Sequence, residues 1–296
     1  MYPNAPVGMI GLGLMGAALS ERLIDASIPV IGFDIDSARC EALNTNGGTV
    51  ATSVRELVSR SRTIIIAVYS GEQVEALFDE LVIGIGSVAP VVICTTTCAP
   101  DEIIGIAKQA AGAGIPFVEA PISGTSAEVR DGVASALMAG ETSTVEAVGA
   151  LLDILFPRHV RVGAIGDASR TKLAINLILQ NNRAALAEGI VFAERLGLDG
   201  RVFLAAARES AAYSRVMDTK GEKMLARDFR PQSHISQTLK DAELILEEAK
   251  RRGLVLPVTA AQADLLRAAI TLEGPDRDSA AVIEAIRQRP APTEVS

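Results

Sequence analysis

Aromatic residues, histidines and cysteines are scarce in this 296-residue chain, and each shortage excludes a class of site. Phe, Tyr and Trp together make up 3% of the sequence and Trp is absent, which argues against stacking platforms for single-stranded nucleic acid. Three cysteines and two histidines are too few for a disulfide framework or a zinc site, so no metal is expected. The formal net charge is -8, the wrong sign for neutralising phosphate backbones, so no nucleic-acid partner is expected either.

One stretch is long and uncharged enough to require a membrane check. The twenty residues 81–100 carry no charged side chain. Gly84, Gly86 and Pro90 interrupt them, which a lipid-exposed helix tolerates poorly, so we predict a loop followed by a buried strand and no membrane partner. No basic region precedes the first apolar residues, and a signal peptide is not expected. The sequence thus predicts a soluble protein in the reducing cytoplasm.

Apolar residues, by contrast, are abundant: they make up 49% of the chain, against 22% charged residues. Up to about residue 163, short runs rich in Val and Ile alternate with amphipathic stretches. Continuous apolar runs of this length are typical of parallel strands covered on both faces, so the alternation indicates a doubly wound α/β domain. The predicted strands are Val7–Ile10, Val30–Asp34, Thr63–Val68, Val91–Cys94 and Phe117–Ala120. The predicted helices are 14–26, 37–45, 53–61, 72–78 and 101–112.

After Gly166 the strand pattern gives way to helix-forming sequence. Residues 167–196 contain no Pro and end before Gly197, which predicts one long interdomain helix with a glycine at its C-terminal end. We expect an N-terminal domain over 1–164 and an all-α C-terminal domain over 165–296. Because so long an apolar helix exceeds what a compact helical domain needs, we expect a second subunit to cover it, in a homodimer or homotetramer. Further helices are predicted at 201–211, 214–226, 235–252, 257–271 and 279–288.

A glycine-rich loop directly follows the first predicted strand. The residues Gly11-Leu12-Gly13-Leu14-Met15-Gly16 fit the pattern G-x-G-x-x-G. In this pattern the first glycine permits a tight turn, the second lets the backbone approach a pyrophosphate, and the third lets helix and strand pack closely. The N-terminus of the following helix adds N–H groups and a partial positive charge. Strand, loop and helix together predict a Rossmann-type dinucleotide-binding domain rather than a ligand-free turn.

An acidic residue ends the second predicted strand. Asp34 lies eighteen residues beyond Gly16, where a carboxylate accepts hydrogen bonds from the adenosine ribose hydroxyls. A carboxylate also repels a 2′-phosphate, so we expect NAD to be preferred over NADP. Arg39, five residues further on, is the side chain that would soften this discrimination by reaching such a phosphate.

Polar residues recur at every fourth position near the start of the long predicted helix. Lys172, Asn176 and Gln180 therefore share one face, within an otherwise apolar stretch. One interpretation is a solvated polar stripe. The other is catalytic: a lysine beside apolar surface at a domain junction is partly desolvated, which lowers its pKa towards the range useful for proton transfer.

Four segments, in this order, resemble the β-hydroxyacid dehydrogenase family, the group around 3-hydroxyisobutyrate dehydrogenase and tartronate semialdehyde reductase. The first is the glycine loop. The second, Glu119-Ala120-Pro121-Ile122-Ser123-Gly124-Thr125, is similar to the substrate motif D-A-P-V-S-G-G. The third, Gly166-Asp167-Ala168-Ser169-Arg170-Thr171-Lys172 with Asn176, is similar to G-x-G-x-x-x-K-x-x-x-N. The fourth is Lys240-Asp241, which resembles a K-D pair on a C-terminal helix.

The resemblance implies a role for individual residues. Lys172 would be the catalytic acid and base, and Asn176 would hold the substrate. Ser123 and Gly124 would donate hydrogen bonds to the substrate carboxylate, in a segment that continues into Thr125. The remaining implied residues contact the cofactor: the loop residues Gly11 to Gly16, the pair Val68 and Tyr69, Thr96 on the nicotinamide side, and Lys240, which would close over the nicotinamide or the substrate.

Several positions depart from the family pattern. Thr125 replaces a glycine, Ala168 replaces another, Glu119 replaces an aspartate and Tyr69 replaces a proline. Ser233-His234 stands where many relatives carry a phenylalanine near the substrate, and a lone histidine before a helix is more often a polar residue at the helix entry. These departures bear on substrate choice.

The predicted function is hydride transfer between a nicotinamide cofactor, NAD or NADP, and a small 3-hydroxy acid or its semialdehyde. Two alternatives stay open. An imine reductase would share the fold, although the resemblance implies that such enzymes lack the lysine. A non-catalytic dinucleotide-binding scaffold would keep the fold without the chemistry.

Overall fold

The computed structural model describes residues 5–289 of the chain. They form two compact units, one up to Lys172 and the other from Leu173 onward. No helix among these described residues combines the length and the apolar character needed to cross a membrane.

The first unit is built on a nine-stranded sheet within the described residues. The spatial order β3-β2-β1-β4-β5-β6-β8-β7 has β9 paired with β8. From β3 to β6 all pairings are parallel, whereas β8 runs antiparallel to β6 and β7. The strands are β1 Val7–Ile10, β2 Val30–Phe33, β3 Thr49–Val50, β4 Thr63–Ile66, β5 Val91–Cys94, β6 Phe117–Glu119, β7 Ile122–Ser123, β8 Ser135–Ala139 and β9 Arg158–Gly163.

Helices cover both faces of this sheet, which is why its central strands are apolar throughout. One face of the sheet packs against α1 (Leu14–Asp25), α7 (Ser126–Arg130) and α9 (Gly149–Leu155), through the strand residues Val7, Met9, Ile65, Ile93 and Val118. The other face packs against α3 (Val54–Arg60), α5 (Phe78–Gly84) and α6 (Pro100–Gly112), through the alternate residues of the same strands. The helices are α1 Leu14–Asp25, α2 Ser37–Thr45, α3 Val54–Arg60, α4 Gly71–Ala76, α5 Phe78–Gly84, α6 Pro100–Gly112, α7 Ser126–Arg130, α8 Thr142–Ala147 and α9 Gly149–Leu155.

The predicted doubly wound α/β domain is confirmed, and the structure corrects its details. Three predicted strands run one or two residues too far: Val30–Asp34 ends at Phe33, Thr63–Val68 at Ile66 and Phe117–Ala120 at Glu119. Strands β3, β7, β8 and β9 were not predicted. The loop predicted from residue 81 begins only after α5 ends at Gly84. This glycine packs closely on α3, where a Cβ would lie 2.7 Å from Val58 Cβ.

The second unit is helical, as predicted, with one isolated β-bridge between His234 and Asp278 among its described residues. Its core includes Leu186, Ile190, Leu204, Leu266 and Ile283. The long helix α10 contributes residues to both units. The elements are α10 Asp167–Arg195, α11 Gly200–Arg208, α12 Val216–Ala226, α13 Ile235–Arg251, α14 Pro257–Glu273, a 3-10 turn Ser279–Ala281 and α15 Val282–Arg287.

Candidate functional site

The glycine loop joins the carboxyl end of β1 to α1, beside the point where the strand order reverses between β1 and β4. Ligands bind at such switch points in open parallel sheets. Gly11 has φ +88 and its N–H donates to Phe33 O at 2.9 Å. A Cβ on Gly16 would lie 1.9 Å from Gly11 O. These two glycines are therefore required by the backbone conformation and by the packing of α1 on the loop.

Gly13 has a different explanation. Its φ is −65, which any residue adopts, and Arg39 Nη1 at 3.8 Å is the nearest atom that an added Cβ would meet. Neither conformation nor internal packing demands glycine here, so the missing side chain leaves space in front of the N-terminus of α1. That terminus starts at Leu14 and Met15 and has no acidic residue in its first turn. The arrangement fits a dinucleotide pyrophosphate.

Asp34 follows β2 and lies beside the glycine loop because β1 and β2 are parallel neighbours. Its Oδ2 accepts a hydrogen bond from the Leu12 N–H at 2.6 Å, and its Oδ1 accepts one from the Asp36 N–H at 2.9 Å. Arg39 Nη1 lies 3.4 Å from Asp34 Oδ2. The carboxylate thus fixes the loop, and the guanidinium stands next to both the loop and the carboxylate.

The residues after β4 and β5 form a second group at this edge of the sheet. Thr96 is buried, and its hydroxyl accepts from the Val68 N–H at 3.2 Å and donates to Val68 O at 3.0 Å. The Tyr69 N–H donates to Gln73 Oε1 at 2.8 Å, and its side chain is exposed. Thr96 and Val68 therefore hold the two loops together by their own hydrogen bonds.

The predicted substrate segment leads from β7 into α7. Gly124 has φ +150, and a Cβ there would lie 2.9 Å from Ala134 Cβ. Thr125 is the N-cap of α7: its hydroxyl oxygen accepts from the Glu128 N–H at 3.2 Å, and its own N–H donates to Glu128 Oε2 at 2.9 Å. The backbone N–H of Thr125 is thus engaged by Glu128, while Ser123 and Gly124 precede the cap.

The polar face of α10 is buried. Lys172, Asn176 and Gln180 are 5%, 5% and 3% exposed. A solvated stripe is therefore wrong, because all three side chains are shielded from solvent. One turn further on, Asn176 Nδ2 donates to Asp241 Oδ2 at 2.9 Å.

Asp241, the second residue of the Lys240-Asp241 pair, was not among the predicted site residues. Both lie on α13, and Lys240 Nζ is 3.3 Å from Asp241 Oδ1. The hydrogen bond from Asn176 fixes the amide so that its Oδ1 points away from the carboxylate. The sequence does not predict that Asp241 binds Asn176, because these two residues are 65 positions apart.

Arg183 continues the same face of α10 and was not among the predicted site residues. It is buried, and burial lowers its pKa while the carboxylates of Asp278 and Asp241 oppose that shift. Its acidic neighbours come from elements far along the chain, so local sequence does not predict this group of charges.

Ser233 and His234 lie at the entry to α13 and are held there by hydrogen bonds. His234 occupies the N-cap position of α13, and its Nδ1 lies 2.9 Å from Asp276 O, as expected for a polar residue at a helix entry. Ser233 Oγ lies 3.0 Å from Ser279 Oγ, and the Ser233 N–H donates to Asp278 Oδ2 at 3.3 Å. This segment is tied to the 3-10 turn by hydrogen bonds.

Family models match almost the whole chain. One, described as the NAD binding domain of 6-phosphogluconate dehydrogenase, matches residues 6–163. Another, described as the NAD-binding of NADP-dependent 3-hydroxyisobutyrate dehydrogenase, matches residues 166–286. The 2-hydroxy-3-oxopropionate reductase of Escherichia coli is 30% identical over 282 residues, covering 95% of this chain and 96% of that protein.

Solved structures share the fold. A 3-hydroxyisobutyrate dehydrogenase from Salmonella typhimurium has a TM-score of 0.86 at 23% identity, covering 95% of this chain and 99% of the other. An imine reductase from Pseudomonas sp. has a TM-score of 0.67 at 22% identity, with the same coverage. At these identities the likeness concerns the fold alone.

Proposed function

This chain belongs to the β-hydroxyacid dehydrogenase family of NAD(P)-dependent oxidoreductases, and we propose that Lys172 is its proton donor and acceptor on a small 3-hydroxy acid or the matching semialdehyde. The predicted oxidoreductase activity and NAD(P) cofactor are confirmed by the family.

The observation that carries the proposal is the buried Lys172–Asn176 pair on one face of α10. A residue four positions along a helix lies on the same face, so the amine and the amide are directed to the same side. Both are 5% exposed. An amine that is held in a fixed place away from bulk solvent can exchange its proton directly with a bound substrate.

The cofactor carries the hydride, and the side chains of the protein carry the proton. The bound nicotinamide supplies or accepts the hydride, so the residues position the substrate and move a proton. In reduction, Lys172 Nζ donates its proton to the carbonyl oxygen; in oxidation, it accepts the hydroxyl proton. Asn176 Oδ1, oriented by the bond from Nδ2 to Asp241, accepts from the substrate hydroxyl.

The substrate carboxylate is assigned to Ser123 and the backbone of Gly124. The positive φ of Gly124 and the close approach of Ala134 keep this position free of a side chain. The N–H of Thr125 is already engaged by Glu128, so Thr125 contributes its hydroxyl proton instead. Lys240 adds a positive charge that favours an anionic substrate.

A substrate panel tests this function. The purified protein is assayed with NADH and NADPH against glyoxylate and the semialdehydes of tartronate, succinate and methylmalonate, and the loss of reduced-nicotinamide absorbance is followed. Cyclic imines are included. We expect turnover of at least one semialdehyde and none of the imines. Turnover of imines alone would support the imine reductase alternative, and no turnover at all would support a binding scaffold.

We expect a higher kcat/KM with NADH than with NADPH, because the Asp34 carboxylate disfavours a 2′-phosphate. Arg39, 3.4 Å from Asp34, is the cation placed to offset this. Replacing Arg39 by Ala should lower kcat/KM for NADPH about tenfold, the worth of one charge-assisted hydrogen bond, with little effect for NADH.

Arg60→Ala is the matched control, since Arg60 pairs with Glu56 on α3 and its side chain is similarly exposed. It should leave both cofactors unaffected. A clear NADPH preference in the unaltered protein would contradict the assignment of Asp34.

We also assign the helical unit to a homo-oligomeric interface. Several exposed apolar side chains lie close in sequence where α10 ends and α11 begins: Phe192 is 66% and Val202 69% exposed, with Leu196 and Leu198 between them. Patches of this kind on a folded unit mark interaction surfaces. Sedimentation at micromolar concentration should show a dimer or tetramer, and Phe192→Glu should shift it to monomer. Val160→Glu, on β9, is the control that should not; a monomeric unaltered protein would refute the assignment.

A further inference from the structure

The helix that carries Lys172 begins without a cap of its own. The first N–H groups of any α-helix lack partners within the helix, and a polar side chain at the N-cap usually accepts one of them. Here the residue before α10 is Gly166, with φ +95, and a Cβ at this position would lie 2.8 Å from Ile104 Cδ1. Serine or aspartate therefore does not fit, and the acceptor has to come from elsewhere.

Glu119 supplies that acceptor from the end of β6. It is fully buried, at 0% exposure. Its Oε2 accepts from the Gly166 N–H at 2.7 Å, and its Oε1 accepts from the Ser169 N–H at 2.5 Å. These are the two backbone donors that a capping box satisfies with two separate side chains. The single carboxylate of Glu119, from a strand distant in sequence, thus accepts both of these backbone hydrogen bonds.

We propose that Glu119 is a positioning residue for Lys172. This rests on the proposed role of Lys172 as the proton donor. Lys172 follows Ser169 by one turn of α10, so the bond that fixes Ser169 also fixes the direction from which the lysine emerges. Glu119 further lies four residues before Ser123, so the same short segment that bears the substrate residues anchors the start of the lysine helix.

The charge of Glu119 has a second effect on the lysine. Both carboxylate oxygens accept hydrogen bonds, as in the ionised form. Burial raises the pKa of Glu119, and the N–H groups of Gly166 and Ser169 oppose that rise. A negative charge at the positive end of a helix offsets the helix dipole, which otherwise disfavours a cation in the first turns. Asp167 and Arg170, the other charged residues of this turn, pair with each other at 2.7 Å near the surface.

Glu119→Gln and Glu119→Asp separate position from charge. Glutamine keeps the length but loses the charge and one acceptor. We expect kcat to fall about ten- to a hundredfold with KM for substrate and cofactor nearly unchanged, since small displacements of a reacting group cost rate rather than affinity. The basic limb of the kcat–pH profile in reduction should move down by roughly half a pH unit. Aspartate, one methylene shorter, keeps the charge, so its kcat should fall less and its pH limb should not move.

Glu56→Gln is the matched control. Glu56 also accepts a backbone N–H at a helix start, from Thr52 at 2.8 Å, but at α3. It should change neither kcat nor the pH profile. Glu119→Gln in a Lys172→Met background should add little further loss, because the two residues act on the same step.

The outcomes distinguish this inference from the proposed function. If Lys172→Met abolishes turnover while Glu119→Gln keeps the rate and pH profile of the unaltered protein, only the positioning role is overturned. If Lys172→Met retains full turnover, the proposed function itself fails. If Glu119→Gln does not fold, Glu119→Asp decides alone: a lowered kcat with unchanged KM and pH limb supports the role, and a rate equal to the unaltered protein overturns it.

Discussion

Replacing Lys172 by methionine should lower kcat for reduction by about 10²- to 10⁴-fold, the usual contribution of a positioned general acid. Methionine matches the volume of the buried lysine stem without its amine, so the packing around a residue that is 5% exposed is preserved. The reaction loses its proton donor, and the carbonyl oxygen has to be protonated from water. Steady-state kinetics on the best semialdehyde of the panel measures the loss.

Two further measurements show whether the lower kcat reflects the missing proton donor rather than weaker cofactor binding or a less stable fold. NADH binding, followed by fluorescence, should be unchanged, and the thermal midpoint should stay close to that of the unaltered protein. Lys108→Met, on the exposed side of α6, is the matched control and should leave kcat unaffected. Equal activity in Lys172→Met and the unaltered protein would remove the lysine from the mechanism.

Replacing Asp278 by asparagine should destabilise the second unit by about 3–5 kcal/mol, because it leaves a buried ammonium without its counter-charge. Lys220 Nζ lies 2.8 Å from Asp278 Oδ1, and the two side chains are 2% and 0% exposed. The carboxylate also accepts from the N–H groups of Gln232 at 2.8 Å and Ala280 at 2.9 Å. Urea unfolding gives the free energy, and Asp264→Asn, an exposed pair with Arg267, should cost under about 0.5 kcal/mol.

A second variant isolates the orphaned charge. Lys220→Met combined with Asp278→Asn should recover part of the lost stability, because no unpaired ammonium remains in the ion pair. If the double variant is less stable than Asp278→Asn, the loss does not come from the lysine and the explanation is wrong.

Asp278 also makes the free energy of unfolding depend on pH in the acidic range. Although burial alone would raise the pKa of Asp278, Lys220 and the backbone N–H groups lower it below its ordinary value. In the unfolded chain the carboxyl takes up its proton at the ordinary value, near pH 4, before it does so in the folded state. Its stabilising contribution is therefore present above about pH 4 and lost as the pH falls below it.

Much of the fold followed from local sequence. The apolar runs at Val7–Ile10 and Val91–Cys94 and the long helix after Gly166 were predicted within a few residues, because their periods reflect which side chains must be buried. Short elements were not. Thr49–Val50 and Ile122–Ser123 have two residues each, too few to carry a period, and they become strands only because a neighbouring strand supplies hydrogen bonds.

In the candidate site, too, some features follow from local sequence and others only from tertiary contacts. The sequence alone determined the glycine loop, Asp34 and the Lys172–Asn176 spacing, since each depends on residues a few positions apart in the chain. Tertiary structure decided the partners of the buried polar groups: Glu119 binds the start of α10 and Asp241 binds the Asn176 amide, while Asp278 pairs with Lys220 in the core of the second unit. These partners come from 47 to 65 residues away. A buried charge or amide requires a partner, but only the folded chain brings that partner within hydrogen-bonding distance.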